Sequence, residues 1–435
     1  MGHMVGKDIY RRLWKKVDGL TMRTPWNKAF HDILKELYSP DEADVIVKMP
    51  YGASSFNRVA RITKYSDVKL KKILDQLCQK GLVIDFFVNN KYHYMPSPIA
   101  IGIFEFTMMR TGEGLNSEGW ARLFHKYFPG AIYAGNLSHG ETTSLMRTVP
   151  HDEMIRQSSH VEVLDYEKAT SIIESYDKFS IGYCSCRHEK SHVNEKKCDV
   201  PLETCTAFGH AADYLIRNNL AREASKSEML ENLARSKEMG LVLNADNVQK
   251  NVTFMCHCCK CCCNVLLGIS RYGYDNMVIT SNYIAYPDEE NCIGCGKCAK
   301  ACPINAIEMK PLTPPIEKKK KQAVVDTSIC IGCGVCALSC KKEAMSLVPR
   351  KQRVLHPETT FQRVILQCLD RGTLQNQIFD NPQSISQSVM RAIVGAFFKL
   401  PPVKRALLSD TLRSTFLKAM ESGVKLQGKG WLTDM

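Results

Sequence analysis

The chain has 435 residues and a formal charge of +13, long enough for two to four domains that each bury a core. Its twenty cysteines fall in tight runs, which argues against the evenly stapled disulfide scaffold of a small secreted protein and marks them as thiolate ligands. Apolar stretches at 98–109 and 392–400 are broken or bounded by Glu105, Lys399 and Pro401, short of the roughly 20 residues a spanning helix needs, so only a peripheral membrane contact stays open.

Met1-Gly2-His3-Met4 reads as an expression remnant, no secretory signal is visible, and a reducing cytoplasm is the expected compartment. The pattern then predicts a winged helix, with helical segments at 27–37, 40–47 and 54–63. Residues 66–79 place Val68, Leu70, Ile73, Leu74 and Leu77 at helical spacing, with Ser66 as N-cap and Gly81 just beyond the end. β-rich runs at 82–88 and 91–95 flank Asn89-Asn90, which tolerate the positive φ of a tight hairpin turn. Such a unit either reads DNA through its last helix, here with Lys64, Lys69, Lys71 and Lys72, or docks a partner beside a solvated basic face. The docking reading leads, because these lysines lack the arginine and asparagine of base readout, and nucleic acid is not the expected partner.

Residues 99–164 carry no assignable chemistry, and the glycine-rich stretch at 112–119 is too irregular for a phosphate loop. Asp165 is placed to cap a helix through 176, and Phe179–Tyr183 reads as a strand that delivers the first cysteine pair. Helices are expected at 207–218 and 227–239, the second opened by the capping box Ser225-x-x-Glu228 and stopped by Gly240. Both lie between cysteine groups, so cysteines distant in sequence can converge on one metal site.

Ten of those cysteines form the upstream groups: Cys184 and Cys186 before Arg187, then Cys198 and Cys205, then Cys256, Cys258, Cys259, Cys261, Cys262 and Cys263. Ten thiols exceed the eight that two cubanes use, and adjacent cysteines point in different directions, so the run at 256–263 can feed two centres on either side of the chain. One or two further iron-sulfur clusters are expected here, with structural zinc and a redox dithiol as alternatives. Arg187, His188, His257 and Lys260 are nearby donors that can offset thiolate charge. Cys78 and Cys368 stand outside all groups.

Downstream the pattern repeats itself. Cys292-x-x-Cys295-x-x-Cys298-x-x-x-Cys302 is followed by Cys330-x-x-Cys333-x-x-Cys336-x-x-x-Cys340. Two-residue gaps let three thiolates turn around one face of a cubane, and Gly294, Gly296, Gly332 and Gly334 permit the tight turns. The fourth cysteine of each run serves the other cluster, giving Cys292, Cys295, Cys298 and Cys340 to one 4Fe-4S cluster and Cys330, Cys333, Cys336 and Cys302 to its neighbour. Two four-thiolate zinc sites are the weaker alternative. Residues 286–349 resemble the bacterial-type two-cluster ferredoxins, which implies a βαββαβ-like fold with pseudo-twofold symmetry and one-electron transfer between close clusters. Lys341 replaces the proline usual after the last cysteine, and 311–322 lengthens the middle with the lysine run 318–321, a solvated hairpin tip or a steering patch for an acidic partner.

An oxidised cubane with four thiolates carries about −2, so two to four clusters bring the net charge to roughly +9 to +5 and weaken any nucleic-acid argument from charge. The order of these segments, with Tyr183-Cys184-Ser185-Cys186-Arg187-His188-Glu189 and Cys198-Asp199-x-Pro201-x-Glu203-x-Cys205, resembles multi-cluster ferredoxin-like proteins of anaerobes over most of the chain. That resemblance implies electron relay or a reductase subunit. The predicted fold is α+β: a winged-helix-like domain at 8–98, a connecting region at 99–164, a cysteine-rich α/β domain at 165–285, a dicluster domain at 286–349 and a helical region at 350–435. The amphipathic tail at 382–435, broken at Pro401-Pro402, is expected to cover the cluster domain or dock a redox partner or membrane surface. The leading function is low-potential electron transfer to a partner protein. A reductase acting on a small-molecule substrate at 184–263, and a redox-sensing regulator, are the alternatives. Oligomeric state is not legible.

Overall fold

A computed structural model describes residues 8–133, 141–156, 163–273, 277–316 and 319–434, so Met1 to Met4 and Lys318 lie outside it. The N-terminal unit packs helices Ile9–Asp18, Lys28–Leu37, Pro40–Lys48, Phe56–Thr63 and Asp67–Gln79 against a small antiparallel sheet. Its strands are β1 (Ser54–Ser55), β2 (Val83–Val88) and β3 (Lys91–Pro96), in the order β1-β3-β2. Asp67–Gln79 buries Leu70, Ile73, Leu74 and Leu77, each contributing about 1.5–3 kcal/mol, and leaves Val68 85% exposed. Asn89 and Asn90 take φ of 53° and 58°, the left-handed pair that closes a two-residue hairpin between β2 and β3. Ser66 stands at the N-cap position, with no side-chain capping bond.

A seven-stranded sheet forms the middle of the molecule. Its strands are β4 (Met146–Val149), β5 (Phe179–Tyr183), β6 (Glu203–Phe208), β7 (Arg222–Ala224), β8 (Val242–Asp246), β9 (Phe254–Cys258) and β10 (Val278–Ile279). They lie in the order β10-β4-β8-β9-β6-β5-β7, antiparallel except for the β10–β4 pair. β4 comes from the stretch that carried no recognisable pattern: all four of its residues are buried, so no alternation marks it. The expected helix at 207–218 starts later, because Ala207 and Phe208 end β6 and the chain turns at Gly209 into Gly209–Arg217. In place of one helix through 176 there is a 3-10 turn Asp165–Glu167 followed by Ala169–Glu174. Lys226–Glu238 opens on the Ser225/Glu228 capping box.

Register fixes where the thiols gather. Gly182 of β5 pairs with Cys205 of β6, Thr206 pairs with Met255 of β9, and Cys258 pairs with Val242 of β8. The end of β5, the start of β6 and the end of β9 therefore meet at one end of the sheet. Beyond it, β11 (Tyr283–Pro287), helix Lys297–Ala301, β12 (Ile307–Ile316), β13 (Lys319–Val325), helix Val335–Leu338 and β14 (Met345–Pro349) follow in βαββαβ order. β11 pairs with β14 and β12 with β13, all antiparallel.

The remaining helices, Thr360–Arg371, Leu374–Ile378, Ile385–Phe398, Pro401–Leu408 and Asp410–Leu426, form the tail, and Pro401-Pro402 starts a helix as its N1 and N2 residues. The tail lies against the N-terminal unit as well as the sheet. Arg58 makes a bidentate pair with Asp380 at 2.6 and 2.8 Å, Arg371 bonds Asp18, and Trp431 packs on His93 and Phe86. On the sheet side Arg363 pairs with buried Asp246 at 2.9 Å. No helix among the described residues is long and apolar enough to cross a membrane.

Candidate metal centres

The eight downstream cysteines line two cavities. Cys292, Cys295, Cys298 and Cys340 surround one, beside Met309, Met345 and the exposed Lys297, Lys341 and Lys342. Cys302, Cys330, Cys333 and Cys336 surround the other, beside Ile304, Ile307 and Ile331. Each set takes three cysteines from one repeat and the fourth from the other. Cys302 and Cys340 cross over because each lies just past the short helix that carries the third cysteine of its own repeat, which leads the chain toward the opposite cavity. The cavities differ in access: Cys295 is exposed and Cys292 and Cys340 are half-buried, whereas all four thiols of the second set are buried. Burial pushes the Cys333 thiol up to about 12, the cost of a thiolate there without a cation.

Both sets fit a cubane. Backbone crowds close enough to leave room for glycine only: a Cβ on Gly332 would lie 2.1 Å from the Tyr283 carbonyl oxygen and one on Gly294 2.2 Å from that of Lys321, with φ of +67° and +69°. The Ala306 N–H donates to Cys302 Sγ at 3.2 Å, the kind of contact that favours thiolate charge. The module is tied to the sheet domain by His151 N–H to the Cys333 carbonyl at 3.0 Å and by Ser281 Oγ to the Gly332 carbonyl at 2.8 Å.

Upstream, the ten thiols separate into two sets. Cys198, Cys259, Cys261 and Cys262 have all their sulfurs within 4.8 Å of one another. The other six, Cys184, Cys186, Cys205, Cys256, Cys258 and Cys263, interact in a chain: Cys186 with Cys263, Cys263 with Cys258, Cys258 with Cys256 and Cys256 with Cys205, with Cys184 beside Cys186 and Cys205. Local geometry makes this division. In β9 the side chains alternate, so Cys256 and Cys258 share a face that His257 leaves. A turn then carries Cys259, Cys261 and Cys262 away, and Cys263 returns at the N-cap position of helix Asn264–Tyr272. Cys184 stands likewise at the start of helix Ser185–His192, so two helix N-termini face the six-thiol set and favour its negative charge. Hydrogen bonds from Cys256 and Cys263 bring the Cys258 thiol down to about 6 against burial. A hydrogen bond from Cys262, helped by Arg187, brings Cys259 to about 4.

Arg187 is fully buried between the two sets. Its Nε donates to Cys259 Sγ at 3.5 Å, Nη1 to the Pro201 carbonyl at 2.7 Å and Thr204 Oγ1 at 2.5 Å, and Nη2 to the His257 carbonyl. Burial works against its charge, yet the sulfurs of Cys184, Cys259 and Cys258 raise its pKa overall. Two histidines singled out in the sequence face elsewhere: His188 Nδ1 bonds the Met108 carbonyl at 2.6 Å, and His257 Nδ1 meets Ser236 Oγ at 2.7 Å. Lys260 reaches across to Asn305 Oδ1 at 3.0 Å and the Lys300 carbonyl at 3.4 Å, beside Cys302. Cys78 and Cys368 are buried core thiols.

Supporting residues lay beyond the sequence signals. Buried Glu189 accepts from Asn264 Nδ2 at 2.6 Å and Lys190 Nζ at 2.8 Å, locking together the two helices that carry Cys186 and Cys263. Asn244 donates to Cys258 Sγ at 3.5 Å. Ile101, a β-branched residue at φ +45°, holds a strained turn whose Gly102 N–H donates to Glu105, and burial pushes that carboxyl up to about 7 close to Cys205. Nothing in the sequence marked Glu189 as buried.

The family described as the 4Fe-4S dicluster domain matches residues 291–351. That span contains all eight cysteines lining the two cavities, so the chain carries a ferredoxin-like iron-sulfur domain. No curated protein and no solved structure matches the chain.

Proposed function

We propose that the chain relays low-potential electrons from a redox partner protein, through the Cys292 and Cys302 sites, to a further iron-sulfur centre held by the six upstream thiols, and on to a second partner or bound substrate. The carrying observation is the change across the dicluster module, from a set with exposed Cys295 to one whose four thiols are all buried, together with Cys258 and Cys263 lying in the same contiguous core as Cys302, Cys330 and Cys333. When bound, a 4Fe-4S cluster supplies a one-electron couple whose potential follows charge, hydrogen bonds to sulfur and solvent access. The chain's own residues do the rest. Lys297, Lys341 and Lys342, with Ile293 55% exposed, form a basic, partly apolar rim suited to an acidic redox protein. Buried thiols and Arg187 keep water from the inner sites and offset their charge.

Residues 8–98 are read as a winged-helix-like docking unit. Lys69 and Lys71 of its last helix pair with Asp41 and Asp75, and Trp431 of the chain's own tail covers His93 in the hairpin. Neither feature favours a nucleic-acid groove.

Anaerobic reconstitution with iron and sulfide analysis is expected to give more than about eight irons per chain, the content of two cubanes. In a redox titration followed by EPR, Cys330→Ser should lose about four irons, keep the outer-site signal, and block reduction of the upstream centre by a partner. Fewer than about eight irons in the wild type, or unimpaired upstream reduction in that variant, would sink the relay.

A further inference from the structure

We propose that Cys198, Cys259, Cys261 and Cys262 hold a single zinc ion in a closed tetrathiolate site, separate from every iron-sulfur centre. Their sulfurs stand at single-ion spacing. Four sulfurs around a tetrahedral ion with Zn–S of about 2.3 Å stand about 3.8 Å apart. Here Cys198 lies 3.7 Å from Cys259 and 4.0 Å from Cys262, while Cys261 lies 4.0 Å from Cys259 and 3.5 Å from Cys262. A cubane puts each thiolate on a different iron, at a separate corner of a cage, and so spreads the sulfurs beyond single-ion spacing.

The same molecule supplies the contrast. Among the described residues, these four are the one group of three or more Cys, His, Asp or Glu whose ligating atoms all lie within 4.8 Å of one another. All eight ferredoxin-type cysteines are described, and neither set of four forms such a group. The six remaining upstream thiols do not form one either.

Chemistry and surroundings fit zinc. Binding releases to solvent whatever S–H protons the four sulfurs still carry, forms four Zn–S bonds and leaves about −2 on the site. Arg187 Nε at 3.5 Å from Cys259 Sγ offsets part of that charge. Val200 and Leu241 pack with Cys259 and Cys262 as a small apolar shell, so four thiolates close the coordination sphere. Zinc has no redox couple, and the ion therefore holds geometry rather than electrons. It pins the loop between helix Ser185–His192 and β6, which carries Cys198, onto the turn after β9. Lys260, between two of the ligands, contacts Asn305 and Lys300 of the ferredoxin-like module, so the site also sets the approach of that module to the six-thiol set.

The test is metal analysis and zinc-edge X-ray absorption on the full chain, purified and reconstituted without oxygen. The wild type should contain one zinc per chain in a single shell of four sulfurs at about 2.3 Å. Cys198→Ser and Cys261→Ser should each lower bound zinc at least about tenfold while leaving iron per chain unchanged. Cys330→Ser should lower iron and leave zinc in place. Loss of about four irons from Cys198→Ser would overturn the proposal, because the site would then be a cubane. So would iron in place of zinc on these four sulfurs. Should the serine variants fail to fold, the wild-type spectrum decides: a mixed sulfur and oxygen shell, or absence of zinc, rejects the site.

Discussion

Gly332 and Arg187 each do something no other residue at their positions would do. The Cα of Gly332 faces the Tyr283 carbonyl oxygen so closely that a methyl group would sit 2.1 Å from it. Gly332→Ala is expected to cost upward of about 1–2 kcal/mol from backbone strain alone, read as a lower denaturation midpoint. Gly130→Ala, where a Cβ meets nothing within 4 Å, should stay within about 0.5 kcal/mol. Arg187 is different, because its loss leaves buried thiolates without a cation and three carbonyl or hydroxyl acceptors without a donor. Arg187→Gln should destabilise the folded chain by about 3–5 kcal/mol and lower metal content upstream while the dicluster signals persist. Retention of full upstream metal by that variant would show that the thiolates do not depend on it. Arg187 was visible in the sequence beside Cys186. Its burial between two thiol sets was not, because that requires Pro201, Thr204 and His257 to close around it from other elements.

Secondary elements differ in how far they could be read in advance. The downstream repeats, the Asn89-Asn90 hairpin and the Ser225/Glu228 cap are local patterns, and local chemistry determines them. The division of ten upstream thiols into four and six is a tertiary fact. It needs the alternation of β9, the turn at 260–262 and the arrival of Cys198 from a separate loop. β4 carries no sequence signal because a fully buried four-residue strand has neither period. The last segment, Gly430–Asp434, carries Trp431 onto the β2–β3 hairpin, and Lys429 stands 3.5 Å from Asp380, which Arg58 also grips. Removing residues 428–435, or replacing Arg58 with Ala, should loosen this contact and make the tail helices more sensitive to limited proteolysis. Unchanged cleavage patterns in both variants would mean that the tail is held by other contacts, such as Arg363 with Asp246.

The molecule as a whole combines a net positive sequence charge with thiolate sites that become negative once loaded. Its basic rim sits at the exposed ferredoxin site, so encounter with an acidic partner should be electrostatically steered. Electron delivery should slow as salt rises through about 0.15 M, and Lys341→Glu combined with Lys342→Glu should reduce the rate roughly tenfold or more at low ionic strength. A salt-independent rate would place the entry point elsewhere. The clasp between the two ends of the chain has a further consequence for how the protein is made. Arg58 and His93 meet Asp380 and Trp431, which are translated more than three hundred residues later. At about 5–20 residues per second, the 8–98 unit waits roughly 17 to 67 seconds for Trp431 with that surface bare. During the same interval every cysteine run emerges, so metal and sulfide delivery can proceed on a nascent chain whose final latch has not yet been synthesised.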